Sequence, residues 1–124
     1  SKEIDFRFHI DEEKEIFADK DLLSIVFQNF LFNAIDAIED EDSIDEGAFD
    51  FFYITDGESH IFKIYDNGKS IENKNLLFEP FKSTKTKGNG LGLALALQII
   101  EAHNGSIRLL EEERKGFEIK IPLL

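Results

Sequence analysis

Between Lys20 and Ile38 the apolar residues Leu22, Leu23, Val26, Phe27, Phe30, Leu31, Ala34, Ile35 and Ile38 recur at spacings of three and four. That period places them on one side of a single long helix, with Asp19 in position to cap its first turn. A helix with so broad an apolar stripe must be laid against another layer, because packing of that face is what stabilises it in water. The remaining patterns supply the layer. Ile4, Phe6, Phe8 and Ile10 alternate with polar residues, which predicts a half-buried strand, and Glu15 to Ala18 reads as a short second strand. Ala48 to Thr55 and Ser59 to Tyr65 read as strands joined at Asp56-Gly57-Glu58, a hairpin signal. Leu91 to His103 returns to a helical period and stops at Asn104-Gly105, two residues that tolerate the left-handed conformation of a helix end. Ser106 to Leu110 and Phe117 to Leu123 form a closing hairpin through Arg114-Lys115-Gly116. Two stretches lie outside these elements. Glu39 to Gly47 is an acidic loop, and Asp66 to Lys87 is a polar, Lys-containing excursion with one short apolar segment, Leu76 to Phe81. The expected class is α+β, a two-layer sandwich in which a mixed, mostly antiparallel sheet of about five strands carries about three helices on one face.

The 124 residues suit one domain, and 42% hydrophobic content with 13 Phe gives it a core. Against 14 basic residues stand 26 acidic ones, and a formal charge of -12 repels nucleic acid and anionic lipid. No nucleic-acid partner and no direct membrane contact are expected. Cysteine is absent, which excludes disulfides and thiolate metal sites. No run of 18 apolar residues occurs, and Ser1-Lys2-Glu3-Ile4-Asp5 has neither the basic nor the apolar part of a signal peptide, so a soluble, cytoplasmic domain is expected. The chain does not begin with Met, and we expect residues 1–124 to be a single domain excised from a longer protein. His9, His60 and His103 are scattered without metal-binding spacing and read as surface or packing residues.

Four groups of residues carry chemistry. Asn29 and Asn33 stand one helical turn apart, with Asp36 following on the same stripe. Two amide oxygens there could face one cation, and a solvated polar stripe is the alternative. Asp66-Asn67-Gly68 falls at a strand end, where Asp66 could accept from an exocyclic amine and Gly68 could let a ligand approach the backbone. An ordinary turn is the alternative. Gly88-Asn89-Gly90-Leu91-Gly92-Leu93 opens directly into the second helix. Its amides and the helix N-terminus could hold phosphate, or the glycines could serve as a hinge. Lys82, Lys85 and Lys87 precede that loop in a stretch with no acid between Glu79 and Glu101, a positive island suited to polyphosphate or a solvated basic loop. Gly68-Lys69-Ser70 is no Walker loop, since position 63 is Lys63 where that loop needs glycine, and Leu93 replaces the third glycine of a dinucleotide fingerprint.

In this order the segments resemble the histidine-kinase ATPase family shared with DNA gyrase, the Hsp90 chaperones and MutL, over roughly residues 17–123. Asn29 to Ala34 looks like the N box, Asp66-Asn67-Gly68 the G1 box, Phe78 to Lys85 the F box, and Gly88 to Leu93 the G2 box. Gly116 to Leu123 is similar to the closing strand of such domains. The resemblance implies a Bergerat-type fold that binds ATP and Mg²⁺. Asp66 would receive the adenine amino group and Asn33 would coordinate Mg²⁺, with Asn29 in the same cluster. The lining would include Gly68, Phe81, Lys82, Thr84, Lys87, Gly88, Gly90, Leu91 and Gly92, and Lys85 would act with Asn29 and Asn33 in catalysis. Gyrase, Hsp90 and MutL carry Glu at the place of Asn29, where it activates water. Asn cannot take that proton, which favours phosphoryl transfer to a protein histidine over hydrolysis and over the serine-kinase branch that keeps the Glu. No histidine here has the setting of an acceptor, so the acceptor is expected on a separate dimerisation hairpin of the parent kinase, with a response regulator downstream and the isolated domain a monomer. Two departures stand out. Ser70 occupies the place of a second G1 glycine, and Asp36 a position often basic in such kinases. A catalytically degenerate nucleotide-binding or scaffold module is therefore the alternative. Only Thr86 and Lys87 separate the F box from Gly88, which implies a short lid of the nitrogen-regulation type.

Overall fold

A computed structural model describes residues 2–10, 14–79 and 92–123. The long apolar stripe forms helix α1, Lys20–Asp40, and the second helical pattern forms α2, Gly92–Ala102. The strands are β1 (Glu3–Ile10), β2 (Glu46–Thr55), β3 (Ser59–Asp66), β4 (Ser106–Leu110) and β5 (Gly116–Pro122). They make one sheet in the order β1-β2-β3-β5-β4. β1 runs parallel to β2 and every other neighbouring pair is antiparallel, so the sheet is mixed and mostly antiparallel as expected. The parallel pair follows from the connection, because α1 carries the chain back across the sheet between β1 and β2.

One face of the sheet takes both helices. Val26, Phe30, Ala34 and Ile38 of α1 and Ala96, Ile99 and Ile100 of α2 are buried, and most of them join Phe49, Tyr53, Phe62, Ile64, Ile119 and Ile121 in one core. Aromatic rings bind the layers together: Phe27 meets Phe51 and Phe62, and Phe30 meets Phe117 at 4.9 Å. Such pairs add about 0.5–1.5 kcal/mol each beyond burial. By length and composition α1 could cross a membrane. Its stripe is committed to this core instead.

The termini of the elements behave as their residues dictate. Asp19 accepts from the Leu22 N–H at 3.0 Å, satisfying one of the orphan amides of the first turn. Asn104 takes φ 60 at the end of α2, and the following Gly105 N–H donates to the Ile100 carbonyl at 2.9 Å. In the β2–β3 hairpin Gly57 takes φ 88 while Asp56 Oδ1 accepts from the amides of Glu58 and Ser59.

The structure corrects four expectations. Glu15 to Ala18 is not a strand, because Ile16 and Ala18 turn inward to pack on the core and find no ladder partner there. α1 runs two residues past Ile38, closed by the Glu41 N–H bonding back to the Ile38 carbonyl, and β2 begins at Glu46 rather than Ala48. Among the described residues there are two α-helices and a single 3-10 turn, Lys74–Leu76, rather than three helices. β1 forms but is not half-buried, since Phe6, Phe8 and Ile10 are 44%, 64% and 51% exposed. His60, by contrast, is a packing residue as read, buried and bonded to the Tyr53 hydroxyl at 2.6 Å.

Candidate nucleotide site

α1 gathers the motif segments. Asn29, Asn33 and Asp36 are half-buried along its flank, neither in the core nor in open solvent. The Asn29 side-chain amide donates to the Gly92 carbonyl at 3.1 Å, so the first polar residue of the stripe holds the first turn of α2. Gly92 lies against that side chain, and a Cβ there would stand 3.4 Å from Asn29 Oδ1.

The Asp66-Asn67-Gly68 segment is fastened to the same helix one turn beyond Asn33. The Lys69 N–H donates to the Ala37 carbonyl at 2.8 Å. Gly68 approaches so closely that a Cβ would fall 2.3 Å from the Ala37 carbonyl carbon, a contact only glycine permits. Asn67 docks the segment from the other side: its Oδ1 accepts from the Ala48 N–H and its amide donates to the Glu46 carbonyl. Asp66, the last residue of β3, is left largely enclosed, with Oδ1 accepting from the Gly68 N–H at 2.8 Å. Ser70 lies beyond the Lys69 anchor and is exposed.

Phe81, Lys82, Thr84, Lys85, Lys87, Gly88, Gly90 and Leu91 lie outside the described residues, and so does the length of the lid. Of the expected site residues the structure therefore places Asn29, Asn33, Asp66, Gly68 and Gly92. Among the described residues no group of three or more His, Cys, Asp or Glu could hold a metal.

Two charged features went unread in the sequence. Lys115 Nζ sits 2.7 Å from Asp66 Oδ1. Its signal was the register, since Tyr65 pairs with Gly116 and the next residue of each strand end is then Asp66 and Lys115. Asp50, on the sheet face away from the helices, is buried under Arg7, His9 and Arg114. Burial alone would raise its carboxyl, but hydrogen bonds from Arg7, His9 and Arg114 outweigh it and hold the group at about 2. His9 also stacks on Phe52, and His103 bonds the Ile99 carbonyl and the Asp19 N–H. All three histidines thus have packing or hydrogen-bonding roles.

Residues 18–124 match the family model of histidine kinase-, DNA gyrase B- and HSP90-like ATPases. The chain belongs to this family. Among curated relatives of this ATPase domain, the sensor histidine kinase FlgS of Helicobacter pylori is 55% identical over 121 residues, covering 98% of this chain and 32% of that protein. ZraS of Salmonella typhimurium is 38% identical over 129 residues, covering 100% of this chain and 27% of its own. The chain thus spans about a third or less of these relatives. The catalytic domain of histidine kinase ThkA, in a nucleotide-free form, superposes with TM-score 0.81 at 31% identity, covering 96% of this chain and 78% of that one. Mycobacterial sensor histidine kinase MprB shares the fold, with TM-score 0.80 at 23% identity over 96% of this chain and 83% of its own. The α+β fold with its mixed five-stranded sheet is that of histidine kinase catalytic domains.

Proposed function

We propose that this domain binds ATP with Mg²⁺ and donates the γ-phosphate to a histidine on a separate dimerisation domain of the same kinase. A response regulator then takes the phosphate. The observation that carries this reading is the convergence on α1: Asn29 bonds Gly92 at the start of α2, and Ala37 bonds Lys69 just after Asp66 and Gly68. One helix thereby sets the spacing between Asp66 and Gly92 at the start of α2, which supports this reading because positioning supplies much of the catalysis in phosphoryl transfer.

Each residue has a part within that frame. Asp66 receives the adenine amino group, with its rotamer fixed by the Gly68 N–H. Gly68, Phe81 and Gly92 line the pocket. The amides of Gly88, Gly90 and Leu91, with Lys82, Thr84, Lys85 and Lys87, hold the phosphates. Asn33 would ligate Mg²⁺, with Asn29 in the same cluster. These neutral hard oxygens suit an ion that arrives mostly coordinated by phosphate and water, which is how Mg²⁺ prefers to bind. Mg²⁺, when bound, neutralises charge on the phosphates and leaves the γ-phosphoryl open to attack. Asn29 holds α2 and offers no carboxylate base, which disfavours attack by water.

The domain works in the cytoplasm as a monomeric part of a longer kinase that is itself soluble or membrane-anchored, and its charge of -12 keeps it off nucleic acid and lipid. The test is to supply a dimerisation hairpin from the parent kinase together with labelled ATP. Acid-labile label on the hairpin histidine, lost in Asn33→Ala, supports the proposal. Nucleotide binding without any transfer would reduce the domain to a degenerate module of the same fold.

A further inference from the structure

We infer that Lys115 sets the affinity and base selectivity of the nucleotide pocket by occupying the Asp66 carboxylate when no base is bound. This rests on the reading of Asp66 as the adenine acceptor. Two neighbouring residues of the β4–β5 turn grip the two faces of the sheet at the end of β3. Arg114 passes to one face, pairing with Asp50 at 2.9 Å and lying 5.0 Å over the Tyr65 ring. Lys115 passes to the other, where its ammonium reaches Asp66 Oδ1 at 2.7 Å. Gly116 lets the turn close down this far, since a Cβ there would stand 2.4 Å from the Ile64 carbonyl oxygen. Lys115 is thus delivered to Asp66 by a turn anchored on both sides.

The Lys115 and Asp66 side chains are only 19% and 12% exposed, so water screens the pair weakly. Asp66 Oδ1 already accepts the Gly68 N–H, and the ammonium adds a second strong donor to the same oxygen. An incoming adenine amine must share the carboxylate with that ammonium, which already draws on the charge the base would use. Hypoxanthine differs: its C6 oxygen is an acceptor that Asp66 repels and that the Lys115 ammonium can satisfy. Lys115 therefore lowers adenine affinity, tolerates a 6-oxo purine, and narrows the gap between the two bases. It is a positioning residue for Asp66, distinct from the groups that hold phosphate.

The experiment is calorimetric titration of wild type, Lys115→Met, Lys115→Arg and Asp66→Asn with ADP and with IDP, each protein checked for an unchanged circular dichroism spectrum. Lys115→Met should bind ADP roughly fivefold more tightly, the scale of one partly exposed ion pair, and IDP no more tightly than wild type. Lys115→Arg, which keeps the pair, should restore the wild-type ratio. A Lys115→Met variant with an unchanged or lower ADP to IDP preference overturns the inference. If Asp66→Asn leaves the preference for ADP intact, the reading of Asp66 itself fails. If Asp66→Asn abolishes that preference while Lys115→Met does nothing, Asp66 stands and the role of Lys115 falls.

Discussion

Replacing Asp50 with Asn should cost about 2 kcal/mol at pH 7 and much less in acid. The carboxylate is 4% exposed and bonded by Arg7 at 2.8 Å, Arg114 at 2.9 Å and His9 at 3.0 Å. Its value falls from 3.8 to about 2, and at roughly 1.4 kcal/mol per pH unit the ionised form is favoured in the fold by about 2 kcal/mol. Because the folded value lies below the unfolded one, this stabilisation is fully present above about pH 4 and is lost as pH falls through about 2. Linkage leaves it at about 1 kcal/mol at pH 3. Asn keeps the shape but not the charge, and Arg7 and Arg114, being partly exposed, can turn to water. Urea unfolding of both proteins at pH 7 and pH 3, with unchanged m, reads the two differences directly. Equal stabilities at pH 7, or a gap that does not shrink at pH 3, would refute the assignment of two guanidinium groups and a histidine hydrogen bond to one buried carboxylate.

Gly68→Ala drives a methyl into the backbone of α1 at Ala37, which should cost about 1–3 kcal/mol and weaken ADP binding together. Gly57→Ala, strained by its positive φ but open on all sides, should cost about 1 kcal/mol and leave ADP binding unchanged. A thermal melt beside an ADP titration separates them, and equal loss of binding in both would show that Gly68 acts through stability alone. Asn104→Gly should hold or raise the melting temperature, whereas Asn104→Val should lower it, since a β-branched residue resists φ 60 at the end of α2.

Much of this fold was legible in the sequence because the strongest signals are periodic. The stripe from Leu22 to Ile38 presents one apolar face whose burial enforces the helix, whereas the alternation of Ile4 to Ile10 marks a strand that is held by its ladder to β2 while Phe6, Phe8 and Ile10 stay exposed. Glu15 to Ala18 misled because two inward apolar residues at spacing two are satisfied equally by a ladder or by direct packing on the core. The site divides in the same way. Asp66, Gly68 and Asn29 could be named from local motifs, since each acts through its own backbone setting. Lys115, and on the opposite face of the sheet Asp50, could not, because their partners lie in other strands and emerge only with the register of β1, β2, β3 and β5. A lysine read as part of a turn comes to lie against Asp66 once Tyr65 is seen opposite Gly116.

In the proposed site Asp66 reads the base and Asn33 holds Mg²⁺ on the phosphates of one bound nucleotide. Titration of the domain with a non-hydrolysable ATP analogue, with and without Mg²⁺, tests it most directly when run beside Asp66→Asn and Asn33→Ala. Wild type should bind in a Mg²⁺-dependent manner, the Asp66 variant should bind much more weakly, and binding by the Asn33 variant should no longer respond to Mg²⁺. Wild-type binding of equal strength in both variants, with the same response to Mg²⁺, would contradict it.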